Sequence, residues 1–530
     1  MKSVMFRVAL GGLLAVTACT QQVRAAPPSN FDQRVEQLRR ASETPGMAIA
    51  IVEGGKTVLA KGYGVRKMGT HMPVDADTIF MTGSTGKAVT VAAIATLVDT
   101  GKLKWDDKVV DRLPGFQMYD PWVTREMTVR DLLTHRSGLG LGAGDLLFVP
   151  RSNRTRAEIV ERLRYIKPAT SFRSGYAYDN ILYTIAGALI EAVSGQTYEA
   201  YLRQHVYKPA GLLTATSDEP TRLATVNRAY PHGRIGGPVR GLGPLQLLDE
   251  TDQLGGASTP AGLLAMSAND LAKWLTIQLS HGKTADGGRL FSEASSAAMW
   301  NPETIEPIGP VPPGFEATNP MFKAYALGWE VSEYGGAKII SHSGGVFGFI
   351  TMVVLIPEKD VAFAITMNAE EGAVRRGLTN ELIDHYLGRP FVDWPTRYKT
   401  LLTSMLTNAK AAVEAKKAAP AGIGPSLPLD RYVGSYIDPW YGRITVARGA
   451  KGLTVNFNET PRMSGPLEHF QYDSFIARFD DKGIEPAYVT FGLDAEGKVE
   501  RISLAPVSPT ADFSFDYKDL DFRPVAAAGK

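Results

Sequence analysis

The chain has 530 residues, of which 44% are apolar and 53 are glycine; this composition is globular, and the length is sufficient for two domains. Its 57 Lys and Arg residues nearly balance 55 Asp and Glu residues, and a net charge of +2 is too small to indicate a nucleic-acid partner. The single cysteine, Cys19, excludes a disulfide framework and CxxC-type zinc sites.

The N-terminal segment predicts export. Residues 1–18 contain a basic start and an apolar run that is too short to span a bilayer. The run ends in Val16-Thr-Ala-Cys19, which resembles a bacterial lipobox whose cysteine carries the lipid. A competing cleavage site after Val23-Arg-Ala25 would release a soluble periplasmic or secreted protein. We therefore expect a periplasmic or outer-membrane-anchored lipoprotein or, alternatively, a soluble exported protein, with a possible lipid anchor as its only membrane contact.

The next part of the chain predicts a sheet that is interrupted by a helical insertion. A short amphipathic helix is expected over 29–39, followed by strands over 46–52 and 57–65 around a turn at 53–56. The pattern is mostly helical from 84 to about 291. Four strand-like runs then follow: Ala324–Val331, Ala337–Ser341, Phe349–Ile356 and Val361–Met367. An antiparallel sheet built from both ends predicts an α/β domain with an inserted helical lobe and a cleft between the two.

A Pro/Gly/Ala-rich linker at 418–428 indicates a domain boundary. Beyond it, seven or eight short, aromatic-rich strands predict a small β-barrel or sandwich of roughly 95 residues. We therefore divide the chain into four parts: a signal segment (1–25), an α/β domain (30–395), a helix with linker (396–428) and an all-β, barrel-like domain (429–526).

Ser84 and Lys87 form the first motif of chemical interest. They stand three residues apart where a loop leads into a helix that is apolar on nearly every face, so the helix is expected to be buried. Burial disfavours the charged form of a lysine and lowers its pKa toward a range in which it accepts a proton. A serine activated by such a lysine is a known route to an acyl-enzyme.

Other motifs in the chain explain this region less well. A second Ser-x-x-Lys sequence, Ser280 to Lys283, lies in a polar, Gly-rich stretch and is interpreted as a solvated turn. A phosphate-binding loop ending at Lys87 would need Gly at position 81 and Ser or Thr at 88, where the chain has Met and Ala. The chain also lacks the G-x-S-x-G sequence that is typical of α/β-hydrolases.

Two further motifs follow in order. Tyr178-Asp-Asn180 precedes another apolar helix, and His342-Ser-Gly-Gly345 follows a predicted strand. With the Ser84/Lys87 pair, they make residues 30–395 resemble the serine β-lactamase and penicillin-binding-protein superfamily. The resemblance is to the class C-like branch of esterases, D-aminopeptidases, DD-peptidases and linearised-microcystin peptidases.

The resemblance implies a role for each motif residue. Ser84 matches the nucleophile, and Lys87 with Tyr178 matches the pair that removes its proton and passes it to the leaving group. Asn180 matches a residue that contacts the lysine and a substrate carbonyl.

The third motif would line the substrate cleft at the sheet edge with His342, Gly344 and Gly345. The backbone N–H groups of Ser84 and Gly345 would form the oxyanion hole, because a tetrahedral oxyanion needs two fixed donors.

His342 departs from most β-lactamases of this superfamily, which have lysine there. Histidine is largely neutral near pH 7 and captures the carboxylate of an antibiotic less well. The preferred hypothesis is therefore a hydrolase of peptide or amide bonds. A carboxylesterase with weak β-lactamase activity and a non-catalytic envelope binding or scaffold protein remain alternatives.

The remaining features carry weaker expectations. His135 is expected to shape its loop, and no motif indicates a metal or another cofactor. A small molecule or a peptide is the expected partner, specificity is expected from loops 140–154 and 218–256, and nothing indicates the oligomeric state. The C-terminal domain is either a stability module or a lid that limits the cleft.

Overall fold

The structure is a computed structural model that describes residues 26–251, 254–417 and 423–525. The predicted signal segment and the lipidation of Cys19 lie outside the described residues. Within those residues, none of the helices combines the length and apolar character needed to cross a membrane.

The α-helices alternate with short turns through the first three quarters of the chain. They are α1 (Phe31–Ala41), α2 (Lys87–Asp99), α3 (Pro121–Glu126), α4 (Val129–Leu132), α5 (Arg156–Arg162), α6 (Ile181–Ser194), α7 (Tyr198–Leu202), α8 (Lys208–Ala210), α9 (Glu219–Ala224), α10 (Thr259–Gly262), α11 (Ala268–Leu279), α12 (Glu293–Met299), α13 (Gly372–Tyr386) and α14 (Trp394–Lys417).

The strands of the first domain lie at both of its ends, with short strands in the lobe between. They are β1 (Gly46–Glu53), β2 (Lys56–Gly64), β3 (Phe80–Met81), β4 (His232–Arg234), β5 (Leu245–Leu247), β6 (Ala265–Met266), β7 (Thr304–Ile305), β8 (Lys323–Tyr325), β9 (Glu330–Tyr334), β10 (Ala337–Val346), β11 (Phe349–Ile356) and β12 (Val361–Met367).

An eight-stranded antiparallel sheet in the order β2-β1-β12-β11-β10-β9-β8-β7 forms the centre of this domain. Every residue of β1 is buried, because helices cover both faces of the sheet. Met47, Ile49 and Ile51 pack into the core beneath α1 and α13, whereas Ala48 and Ala50 point into the larger core of the helical lobe. The α/β architecture with an inserted helical lobe is therefore confirmed.

Two of the predicted strands of the first domain differ from the structure by more than one residue at an end. The predicted strand 324–331 is two short strands, β8 and β9, because residues 326–329 turn the chain between them. Strand β10 continues through Val346, so His342 to Gly345 lie on the strand rather than after it. Its pairing with β9 stops at Ser341, which leaves the edge of β10 open beside the third motif.

The C-terminal domain is a closed eight-stranded barrel, as the all-β prediction required. Its strands are β13 (Gly434–Asp438), β14 (Gly442–Gly449), β15 (Gly452–Phe457), β16 (Ser464–Gln471), β17 (Ser474–Ala477), β18 (Ala487–Leu493), β19 (Val499–Pro506) and β20 (Asp521–Pro524). β13 pairs with β20 and thereby closes the barrel. Residues 507–520 between β19 and β20 form a segment that we call the cover loop; it packs against the first domain.

Candidate active site

Ser84 and Lys87 lie where one 3₁₀ turn, Gly83–Gly86, leads into α2. Residues 87–95 of this helix are all buried, which confirms the expectation of a buried helix. Lys87 has no exposed surface, and its Nζ lies 3.1 Å from the Ser84 Oγ. The structure therefore brings the hydroxyl and the amine within hydrogen-bond distance.

Segment 260–264 holds the start of α2 in place through backbone carbonyls. Ala261 O accepts a hydrogen bond from Lys87 Nζ at 2.7 Å, and Leu264 O accepts one from the Thr82 backbone N–H at 2.8 Å. Gly262 is required at this contact: its φ is +150°, and a Cβ there would lie 2.8 Å from the Ser84 amide nitrogen. The glycine allows the two segments to approach closely enough to fix the Ser84 turn.

The partners of Lys87 Nζ suit a neutral amine. Besides Ser84, it contacts Asn180 Oδ1 at 2.6 Å and Ala261 O at 2.7 Å, and both of these oxygens only accept hydrogen bonds. A neutral amine donates its two protons to those oxygens and keeps a lone pair for the Ser84 hydroxyl. Burial lowers the pKa of Lys87 to about 7, against the opposing effect of Asp145 and Asp179.

Tyr178 lies beside the same pair. Burial raises its pKa well above the usual value, against a smaller opposing effect of the Ser84 side chain, so it remains a neutral phenol near pH 7. The Lys87 Nζ lies 4.8 Å from the centre of its ring, and the His135 ring packs against it with centroids 4.2 Å apart. Burial also keeps the pKa of His135 well below its usual range. His135 accordingly packs as a neutral ring behind Tyr178.

His342 is buried and neutral in this site. Its Nδ1 lies 2.6 Å from the Ser343 carbonyl oxygen, which only accepts, so this nitrogen carries the proton. The Nε2 atom therefore accepts from the Tyr325 hydroxyl at 2.8 Å. Burial, with the charge of Lys87 as a smaller cause, lowers the pKa of His342 to about 3. Both ring nitrogens are occupied, and the position offers no cation to a substrate carboxylate.

The open edge of β10 approaches the Ser84 turn through two glycines. A Cβ on Gly344 would lie 2.0 Å from Thr82 O and 3.1 Å from the Ser84 amide nitrogen, whereas one on Gly83 would lie 2.5 Å from the Gly345 amide nitrogen. Both glycines are therefore needed for the close approach of the two backbones. This places the amides of Ser84 and Gly345 at one end of the cleft.

The cleft encloses about 660 Å³ and is lined by Ser84, Tyr178, Asn180 and His342 together with Phe148 and Leu254 of the two predicted specificity loops. This volume is in the usual range of ligand pockets. The cover loop supplies residues 510 and 512–515 to the same wall.

The arginines that line the cleft are already paired. Arg234 binds Glu371 at 2.8 Å, and Arg240 binds Glu370 at 2.6 Å. No cluster of three or more His, Cys, Asp or Glu side chains in the described parts of the chain is arranged to hold a metal ion.

Four contributors to this site were not predicted from the sequence: Asp145, Ala261, Tyr325 and Ser514. Ala261 contributes a backbone carbonyl, for which the sequence carries no side-chain signal. Asp145 fell inside a loop expected to govern specificity. Tyr325 and Ser514 are brought to the site by strand pairing and domain docking, which local patterns do not reveal.

Two family profiles match the chain. The profile described as Beta-lactamase matches residues 31–387, and the profile described as Domain of unknown function (DUF3471) matches residues 418–524.

Individual proteins show the same similarity. Unguisins hydrolase ungD' of Aspergillus campestris (strain IBT 28561) is 30% identical over 439 residues, which cover 79% of this chain and 77% of that protein. Penicillin-binding protein 4 of Amycolatopsis lactamdurans is 28% identical over 363 residues, covering 68% of this chain and 89% of that protein. The octameric penicillin-binding protein homologue from Pyrococcus abyssi has a similar fold, with a TM-score of 0.57, 21% identity, and coverage of 90% of this chain and 97% of its own.

Proposed function

The chain belongs to the β-lactamase family of serine hydrolases, and from this premise we propose that it hydrolyses peptide or amide bonds through an acyl-enzyme on Ser84. The observation that carries the proposal is the 3.1 Å contact between Ser84 Oγ and the buried amine of Lys87, whose pKa burial lowers to about 7. A neutral amine at this distance is positioned to remove the hydroxyl proton as the oxygen attacks a carbonyl carbon.

The proposed acylation then proceeds through a tetrahedral intermediate. The carbonyl oxygen becomes an oxyanion, which the backbone N–H groups of Ser84 and Gly345 stabilise. Tyr178 passes the proton taken by Lys87 to the leaving amine as the C–N bond breaks, and the Ser84 ester remains. Water next attacks the carbonyl carbon of this ester and gives one proton to the same pair. The bond from that carbon to Ser84 Oγ then breaks, the carboxylic acid is released, and the pair returns the proton to Ser84 Oγ.

Peptide or amide substrates are preferred over β-lactams because the cleft offers little to a carboxylate beside the reacting bond. His342 is neutral, and both of its ring nitrogens are occupied. Arg234 and Arg240 are each paired with a glutamate. The name of the Unguisins hydrolase relative supports hydrolysis but does not identify the bond that is cut.

The test is labelling with a fluorophosphonate, which reacts with activated serines. We expect one adduct, mapped by peptide mass spectrometry to the peptide that contains Ser84. The matched control is Ser280→Ala, which removes the serine of the second Ser-x-x-Lys sequence and should label as the wild type does. A folded wild-type protein that forms no adduct on Ser84 would refute the proposal and favour the non-catalytic binding or scaffold alternative.

A substrate panel then ranks the bond classes. Rates on a D-amino-acid amide, a linear peptide, a p-nitrophenyl ester and a chromogenic cephalosporin should be highest for the amide or the peptide. A faster ester reaction with weak cephalosporin turnover would replace the proposal with the carboxylesterase alternative.

We also propose that the protein is exported and that Cys19 carries a lipid; the lipobox-like sequence Val16 to Cys19 supports this. The full chain expressed in a bacterium should incorporate labelled palmitate and fractionate with membranes, and Cys19→Ala should lose both properties. A wild-type protein that incorporates no label and is recovered in the periplasm would support the soluble exported alternative instead. The proposed division of the chain places the export segment before 26 and the barrel domain after 428.

A further inference from the structure

The cover loop reaches a buried carboxylate of the first domain. Ser514 Oγ donates to Asp145 Oδ2 at 2.8 Å, and both side chains are buried. The neighbouring Phe513 ring packs against Tyr178 with centroids 5.8 Å apart. The loop is thus in direct contact with the catalytic domain beside the proposed nucleophile.

Asp145 connects this contact to the proposed base. Its Oδ2 also accepts from Asn180 Nδ2 at 2.8 Å, and Asn180 Oδ1 accepts from Lys87 Nζ at 2.6 Å. Four residues therefore form a continuous chain of hydrogen bonds from the barrel domain to the amine.

The donors and acceptors in this series of hydrogen bonds fix the orientation of the Asn180 side-chain amide. Burial raises the pKa of Asp145 to about 7, so the ionised carboxylate predominates above that pH. In this form it only accepts; it therefore holds the NH₂ group of Asn180 on its own side and turns the carbonyl oxygen toward Lys87. With the amide reversed, a donor would face the amine, and the lone pair of Lys87 would be drawn away from Ser84.

We propose that Asp145 and Ser514 are positioning residues of acylation: Ser514 holds the Asp145 carboxylate, which fixes the Asn180 amide that aligns Lys87 on Ser84. The inference rests on the proposed function and extends it, because it makes the barrel domain a participant in the alignment of the base. In this proposal the barrel domain contributes to the active site through Ser514 and also forms part of the cleft wall.

The electrostatic surroundings give the proposal a direction that can be measured. The titratable groups in and around this series of hydrogen bonds are Lys87, Asp145, Asp179, His135, His342, Tyr178, Tyr183, Asp512 and Asp516. The Asp145 charge opposes the effect of burial on Lys87 and favours its charged form. Burial raises the pKa of Asp145, and the hydrogen bonds from Asn180 and Ser514 oppose that rise. Loss of either group should therefore lower the pKa of Lys87.

The experiment measures the second-order rate of fluorophosphonate labelling of the full-length protein between pH 5.5 and 9. Asp145→Asn keeps the size of the side chain but removes its charge. We expect the maximum labelling rate, reached at high pH, to be about tenfold lower, and the rise of the rate at low pH (the acid limb) to shift to lower pH. Ser514→Ala should lower the plateau about threefold and shift the limb in the same direction by less. A merely structural defect would scale the rate equally at every pH and leave the limb in place.

The matched control is Ser508→Ala. Ser508 lies in the same cover loop, but its hydroxyl bonds to Thr510 within the loop. The inference is overturned if Ser514→Ala and Asp145→Asn label like Ser508→Ala, or if they lose rate without a shift of the limb. A wild type that does not label at Ser84 refutes the proposed function instead, so the two failures are distinguishable.

Discussion

Two Ser-x-x-Lys sequences occur in this chain, and the structure places them in opposite environments. Lys87 is fully buried with Nζ 3.1 Å from Ser84 Oγ, whereas Lys283 is exposed in the turn that follows α11. The Ser280 hydroxyl shares its proton between two backbone oxygens, those of Ile277 at 3.2 Å and Lys283 at 3.0 Å. The comparison indicates that burial and the surrounding hydrogen-bond acceptors, not the spacing of two residue types, favour the neutral form of Lys87 that the proposed reaction needs.

Removal of the two serines gives the largest expected contrast. Ser84→Ala should lower turnover of the best panel substrate by at least about a thousandfold, because no covalent intermediate can form. Ser280→Ala should stay within about twofold of the wild type, as expected for a surface change. Comparable losses in both variants, with circular dichroism showing intact folds, would invalidate the distinction.

Removal of the two lysines is expected to have the next largest effect. Lys87→Ala should lower turnover by about a thousandfold, and the double variant Ser84→Ala/Lys87→Ala should be little worse than Ser84→Ala, because the two groups act as a unit. Lys283→Ala should leave kcat and KM unchanged. Additive losses in the double variant would mean that Lys87 does not act through Ser84.

The pH dependence of the free energy of unfolding tests the lowered pKa of Lys87. The pKa of Lys87 is lowered to about 7 in the folded state, so between pH 7 and the usual lysine pKa of 10.5 only the unfolded state holds the proton. Wild-type stability should therefore rise with pH relative to Lys87→Met, by about 2–3 kcal/mol between pH 7 and 9, and should stay level below pH 7. Thermal unfolding at pH 6, 7, 8 and 9 measures this difference. Lys283→Met is the matched surface control, and a difference between the wild type and Lys87→Met that stays constant from pH 7 to 9 would contradict the assignment.

A smaller effect is expected in the pH profile of acylation. The rate should rise about tenfold between pH 6 and 8 as the site around Lys87 loses its proton, because Lys87, Asp145 and Asp179 all have pKa values of about 7. Lys283→Ala should retain this limb. A rate that is flat between pH 6 and 8, followed by a rise near pH 10, would place the base on an ordinary exposed lysine.

Local sequence patterns carried the information for most of the fold. The apolar helix after Ser84, the short apolar run of β1 and the short aromatic-rich strands beyond 428 each follow from local sequence patterns, and the order of three motifs indicated the superfamily. The boundary of β10 was wrong because Ser343, Gly344 and Gly345 have little strand propensity. Pairing with β11 keeps them extended all the same.

The rest of the site depends on contacts between distant parts of the chain. The Tyr325 hydroxyl donates to Nε2 of His342 from another strand of the sheet, and Ser514 reaches Asp145 over a sequence separation of 369 residues. No local pattern records either contact, because the first arises from strand pairing and the second from docking of the barrel on the first domain. The sequence could therefore identify the residues of the proposed reaction but not the groups that align them.

The most direct test of the account is the protonation state of Lys87 itself. Protein labelled with ¹³C at lysine Cε is titrated by NMR, and the Lys87 signal is assigned by its loss in Lys87→Met. We expect the Lys87 signal to titrate with a midpoint near pH 7. A Lys87 midpoint above pH 10, in the ordinary range of a lysine, would contradict the claim that a buried neutral lysine activates Ser84.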